Sequence, residues 1–185
     1  MNRREFVLRT AGAFSTLSIS PAFAEIVANY PSSARGGILD KPQMALLQAL
    51  VDCIIPDTDT PGASAAGVQE FIHYLLGKWY APDKHARFAR GLTALNEHAV
   101  GKYGSAFIAC NSKQREQLLT DLEALHQSPE QKSELTEFVV WVKELTVLGY
   151  YTSEVGASQE LNYLAIPGPY SGCIDFAEVG RTWAT

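Results

Sequence analysis

The chain is poor in the residues that build prosthetic-group sites: three cysteines, four histidines and two methionines in 185 residues. Cys53, Cys110 and Cys173 form no C-x-x-C pair and no C-x-x-C-H run, which excludes a zinc ribbon, a paired redox thiol and a c-type haem attachment. His73, His85, His98 and His126 are scattered. Without H-x-x-x-H or H-E-x-x-H spacing, no single helix face offers two imidazoles to a metal. Gly62-Ala63-Ser64-Ala65-Ala66-Gly67 begins like a phosphate-binding loop, but Val68-Gln69 stands where Lys-Ser/Thr must grip phosphate and magnesium. There is no G-x-G-x-x-G dinucleotide fingerprint and no G-x-S-x-G nucleophile elbow. Asp57 and Asp59 share one loop, yet the third ligand, central glycine and distal glutamate of a calcium loop do not line up behind them. Turn and cap roles are therefore expected of both. A Cys53–His73 pair has no supporting spacing either. No catalytic, cofactor-binding or metal-binding residue is assigned to this chain.

Two further absences concern partners. Beyond the first 24 residues no apolar run approaches the roughly 20 residues of a membrane span. Basic charge is also scarce: without residues 1–24 the chain holds 12 Lys+Arg against 19 Asp+Glu, a net charge of −7. Such an acidic body argues against nucleic acid and anionic lipid as partners.

The amino-terminal residues read as an export leader rather than as part of the fold. Arg3 and Arg4 are followed by Phe6 and Leu8, then by a weakly apolar stretch from Ala11 to Ile19, Pro21 and the small-x-small site Ala22-Phe23-Ala24. The paired arginines, and Arg9 beside a diluted apolar core, predict a twin-arginine signal over residues 1–24, with Asn2 where Ser or Thr is usual. That route carries folded cargo to the periplasm and leaves attachment to the inner membrane through a complex open.

Residues 25–43, with Pro31, Ser32, Ser33, Gly36 and Gly37, read as an extended lead-in, and 44–185 as one helical domain. Leu47, Leu50, Val51, Ile54 and Ile55 make a one-sided helical stripe that Pro56 ends. Asp57 to Gly62 supplies turn chemistry, and Ala63 restarts a helix whose face is Val68, Phe71, Ile72, Leu75 and Leu76. This αα-hairpin cannot close a core alone and calls for the later helices or a partner. A third helix is predicted from about Lys84 to Ala99 (Phe88, Leu92, Leu95, Ala99), broken by Gly101 to Gly104. A fourth starts at the Asn111-Ser112 cap, with Leu118, Leu119, Leu122 and Leu125 on one face. Ser128-Pro129-Glu130-Gln131 reads as a capping box starting the longest helix, through Leu135, Phe138, Val139, Val142, Leu145 and Thr146 to about Gly149. With no hairpin signal in competition, the fold class is all-α: a compact bundle of about five helices.

The last 36 residues interleave Tyr150, Tyr151, Tyr163, Tyr170, Phe176 and Trp183 with Gly156, Gly168, Gly172, Gly180, Pro167 and Pro169. Two readings stand: an irregular segment packed on its own bundle, or a partner-facing surface of the kind that Tyr and Trp dominate. Cys53 reads as a small core residue, Cys110 precedes a helix, and Cys173 follows a loop that should expose it. In an oxidising compartment an odd count leaves one thiol free or bonded to another chain.

Three blocks go further: LLQALVDCIIPDTDTPGASAAGVQEFI (46–72), FVVWVKELTVLGYYTSEVGA (138–157) and LNYLAIPGPYSGC (161–173). With the leader, they resemble the gluconate 2-dehydrogenase subunit 3 family, the small subunits of bacterial FAD-dependent sugar and sugar-acid dehydrogenases. The resemblance implies a non-catalytic chain with no cofactor of its own. FAD, the substrate pocket and the acid–base residues are expected in a large subunit of the glucose-methanol-choline type, and a cytochrome c subunit is expected to accept electrons. It further implies that the small subunit, through Arg3 and Arg4, takes the large one through the twin-arginine translocase and helps it mature. Tyr150, Tyr151, Thr152, Pro167, Tyr170 and Cys173 are the expected contacts with that subunit. The residues alone also leave open a stand-alone periplasmic binding or scaffold protein, or an enzyme using Asp57 and Asp59 with a metal.

Overall fold

The structure, a computed structural model, describes residues 38–166, 168, 169 and 172–184. The leader residues Arg3, Arg4, Phe6, Leu8, Ala22 and Ala24, most of the lead-in, and Pro167 and Tyr170 lie outside the described residues. Five long helices follow one another: α1 (Lys41–Ile54), α2 (Val68–Trp79), α3 (Pro82–Tyr103), α4 (Ser112–Gln127) and α5 (Glu134–Tyr151). A 3₁₀ turn (Phe107–Ala109) precedes α4, a π-helical turn (Gly156–Glu160) follows α5, and a one-turn helix α6 (Phe176–Val179) comes last. Among the described residues no strand forms, only an isolated parallel bridge between Asn162 and Trp183. The all-α bundle expected from the sequence is what the chain builds.

Three of the five long helices, α1, α4 and α5, start at polar caps rather than at their apolar stripes. α1 begins at Lys41, three residues before the expected boundary at residue 44, so residues 41–43 are helical rather than extended lead-in. Asp40 Oδ1 accepts from the Gln43 N–H at 2.8 Å while Gln43 Oε1 accepts from the Asp40 N–H at 3.0 Å, satisfying two donors that a helix start leaves bare. α4 starts at the predicted Asn111 cap, with the same reciprocal pair to Gln114, both at 2.9 Å. α5 corrects the expectation: the Ser128 box does not open it. Residues 129–131 form a turn, and a second box, Ser133 with Thr136, starts the helix at Glu134. At 18 residues α5 is also shorter than α3, which has 22 and runs through Gly101 to its cap at Gly104.

The restart after Pro56 is also later than predicted. Residues 63–67 make turns, and α2 begins at Val68, because Gly67 sits at φ +76°, a left-handed conformation that no continuous helix passes through.

α5 is the central strut, packed against α1, α2, α3 and α4. Its buried face, Phe138, Val139, Val142, Leu145 and Thr146, is the one the spacing predicts. It meets Leu47, Leu50 and Val51 of α1, Val68, Ile72 and Leu76 of α2, Phe88, Leu92 and Leu95 of α3, and Leu118, Leu119 and Leu122 of α4 in one core. Leu125, expected in that stripe, lies exposed at its edge. Phe88 stacks edge-on against Phe138 (5.2 Å) and Trp141 (5.3 Å), and Trp141 against Tyr80 (5.5 Å). Gly91 makes that cluster possible, since a Cβ there would lie in the Phe138 ring. Ion pairs Arg90–Glu134 (2.9 Å) and Arg87–Glu137 join α3 to α5, and Lys143–Glu123 (2.7 Å) joins α5 to α4. Their half-exposed settings limit each to about 0–1 kcal/mol, so they trim the packing that the core sets.

Candidate partner-docking site

The polar residues singled out in the sequence are occupied with structure. Asp57 Oδ1 accepts from the Gly62 N–H at 2.5 Å, and Asp59 Oδ1 from the Thr58 hydroxyl at 3.1 Å. These are the turn roles that short carboxylates favour. Among the described residues no three His, Cys, Asp or Glu side chains converge as a metal-binding group. Cys53 is half-buried beside a groove of about 460 Å³ between α1 and the start of α4, lined also by Asp52, Ser112, Arg115 and Glu116. Burial pushes its thiol up, away from the thiolate a nucleophile needs, and the nearby Arg115 only partly opposes this. Arg115 itself donates to the carbonyls of Phe107 (3.0 Å) and Ile108 (2.5 Å), tying the 3₁₀ turn to α4. Cys110 is buried, Cys173 is exposed as expected, and none of the three is in a disulfide.

His73 is held below the usual imidazole range because burial disfavours its charged form, with Glu70 pulling the other way. Its Nδ1 is buried and has no hydrogen-bond partner among the described residues. The sign of the linkage follows. With the folded value depressed, the unfolded chain takes up a proton first as the pH falls through about 6.5, so stability is full above that value and is lost on acidification. The urea midpoint of wild type should therefore fall relative to that of His73→Gln as the pH is lowered from about 7 to about 5. A gap independent of pH would show that His73 does not titrate differently in the two states.

The residues expected at a partner surface separate sharply. Tyr150 is a correction: at 1% exposure it is a core residue, and its hydroxyl donates to the Pro61 carbonyl at 2.9 Å. A ring enclosed this way cannot meet another chain. It sits on the buried side of α5 with Gly149, where a Cβ would fall 2.7 Å from Phe71 Cδ1, so α2 and α5 approach closely at this end. Tyr151, one position on, turns outward with Thr152 and stacks edge-on against Tyr150 at 5.3 Å. Pro167 and Tyr170 fall outside the described residues.

Several exposed apolar side chains carry no sequence signal of their own. Leu148, just before Gly149, is exposed, as are Leu164, Ile166 and Ile174 in the C-terminal segment and Trp79 at the end of α2, in addition to the already noted Phe176. Periodicity identifies the face of a regular helix, and these residues stand at helix ends or in irregular chain, where it gives no direction. The segment after α5 is thus neither wholly packed on the bundle nor detached from it. Its π-helical turn packs on α5, and much of the apolar surface beyond Asn162 faces outward.

The model of the family described as gluconate 2-dehydrogenase subunit 3 matches residues 41–168, from the first residue of α1 into the C-terminal segment. No curated protein and no solved structure matches the chain.

Proposed function

Because the chain belongs to the gluconate 2-dehydrogenase subunit 3 family, we propose that it is the non-catalytic small subunit of a periplasmic FAD-dependent sugar or sugar-acid dehydrogenase. In this reading it is the export escort and stabilising partner of a flavoprotein large subunit of the glucose-methanol-choline type. The match over the whole helical body is the observation that carries it, since a subunit family presupposes other subunits. The paired Arg3-Arg4 and the Ala22-Phe23-Ala24 site support export through the twin-arginine translocase to the periplasm. FAD, the substrate and the acid–base chemistry are assigned to the large subunit, and electrons pass on to a cytochrome c subunit. The exposed Tyr151, Thr152 and Cys173 remain the residues offered to the large subunit, with Tyr150 packed against Tyr151 as support.

Exchange of Arg3 and Arg4 for lysine tests the escort role. Both this chain and the flavoprotein should then stay in the cytoplasm, and dehydrogenase activity should vanish from the periplasmic fraction. A flavoprotein exported and fully active without this chain's leader would contradict the escort role. A tagged wild-type chain that elutes from periplasm alone, with no flavin absorbance beside it, would remove the subunit reading as well.

A further inference from the structure

We infer that the described residues between Asn162 and Trp183 belong to a clasped docking loop, whose outward apolar side chains seat in a groove of a different, larger subunit; this rests on the reading above that such a subunit exists. The root of the loop is tied. The Asn162 N–H donates to the Thr182 carbonyl at 2.8 Å, and the Ala184 N–H donates back to the Asn162 carbonyl at 3.1 Å. The Arg181 guanidinium donates to the Gln159 carbonyl in the π-helical turn. In that same turn the Glu160 carboxylate accepts from the Thr60 hydroxyl, which carries the anchorage through to the hinge between α1 and α2. A loop closed at its root has already lost the closure entropy that a free tail would lose on binding, so it is preorganised for a partner.

What the loop displays is apolar. Ile166 is 88% exposed and Phe176 66%, Tyr163, Leu164, Ile174 and Trp183 also lie open, and α6 buries none of its side chains. Asp175, Glu178 and Arg181 are the charged residues between Leu161 and Ala184. Six large apolar residues thus lie open in one short segment, the kind of exposure that marks an interaction surface rather than the scattered single residues of an ordinary exterior.

The occupant is a different chain rather than a second copy. A two-fold dimer must match the loop with itself or, reciprocally, with another patch of the same chain. One apolar-lined groove of this molecule, about 450 Å³ between Ala89, Gly91, Ala94 and Leu135, lies at the amino-terminal end of α5. The loop is rooted beyond the other end, past a helix of 18 residues, about 27 Å long. A second copy could seat the loop only in an antiparallel pair that spans this distance, whereas a subunit family presupposes another chain, which favours a larger partner with a groove of its own.

The test uses the full chain co-expressed with its flavoprotein. Ile166→Asp combined with Phe176→Asp should leave the circular dichroism and thermal midpoint unchanged while the flavin co-purifying with the tagged chain falls at least about tenfold, as when interface anchors are lost. Trp79→Asp, which alters a side chain 78% exposed on α2 and outside the loop, should retain the flavin. Independently of any variant, amide exchange across 163–183 should be slower in the complex than in the free chain. Full flavin retention by the double variant, or unchanged exchange, overturns the loop assignment and leaves the subunit reading standing. A wild-type chain that brings no flavin overturns both. A flavin-free dimer that the double variant dissociates assigns the loop to a second copy and overturns the choice of partner.

Discussion

Tyr150→Ala should lower the stability of the domain by about 3–5 kcal/mol, the range for deleting a buried aromatic ring and leaving a cavity. The ring is enclosed in the last turn of α5, and its hydroxyl reaches across to the carbonyl of Pro61 in the hinge loop. The same residue's carbonyl accepts from the Ser153 hydroxyl at 2.6 Å, where the chain leaves α5 for the π-helical turn. Tyr150 thus joins three segments: the hinge, the central helix and the root of the C-terminal loop. Tyr150→Phe keeps the ring and removes one hydrogen bond, so it should cost about 1 kcal/mol. Urea denaturation followed by circular dichroism measures both. Against a typical total of about 5–15 kcal/mol, the alanine variant is marginal at 37 °C and the phenylalanine variant is not. An alanine variant within about 1 kcal/mol of wild type would mean that the ring is free surface, and would return it to the docking face from which its burial removes it.

The second large effect is steric. At Gly62 an added Cβ would fall 2.7 Å from the Asp57 nitrogen and 2.8 Å from both the Ile55 oxygen and the Pro56 carbonyl carbon. All three are main-chain atoms, and none can step aside as a side-chain tip can. The Gly62 N–H is also held by Asp57 Oδ1, and the next residue's N–H donates to the Ile55 carbonyl at 2.9 Å. Gly62→Ala must therefore open the hinge that lets α1 and α2 face each other, at about 3 kcal/mol, the upper end of the range for overpacking. Gly101→Ala supplies the opposite sign. That residue lies exposed inside α3 with nothing within 4 Å of a Cβ, so alanine should stabilise by about 0.5–1 kcal/mol through lost freedom of the unfolded chain. Thermal midpoints of the two variants should move in opposite directions. Equal shifts would show that the hinge is looser than its main-chain contacts indicate.

The two glycines show where reading the sequence succeeds and where it stops. Pro56, the Asp-Thr-Asp-Thr-Pro-Gly turn and the two apolar stripes define the hairpin before any coordinates exist, since steric limits on proline and helical periodicity are local. The absence of a grouped metal-ligand or nucleotide motif is equally a local observation. The start of α5 was misplaced because two capping boxes five residues apart are locally equivalent. Choosing between them depends on where Phe138, Val139 and Val142 must meet the other four helices.

The sequence by itself determined the helical class, the five apolar faces, the leader motif and the family blocks, all of which depend on neighbours within a few residues. Only the tertiary structure decided that Tyr150 faces inward and Tyr151 outward, and that residues 162 and 183 meet to close a loop displaying Ile166 and Phe176. In irregular chain no period fixes the direction of a side chain. There, burial depends on what distant segments leave uncovered, and on this molecule they leave the apolar side chains of that loop exposed.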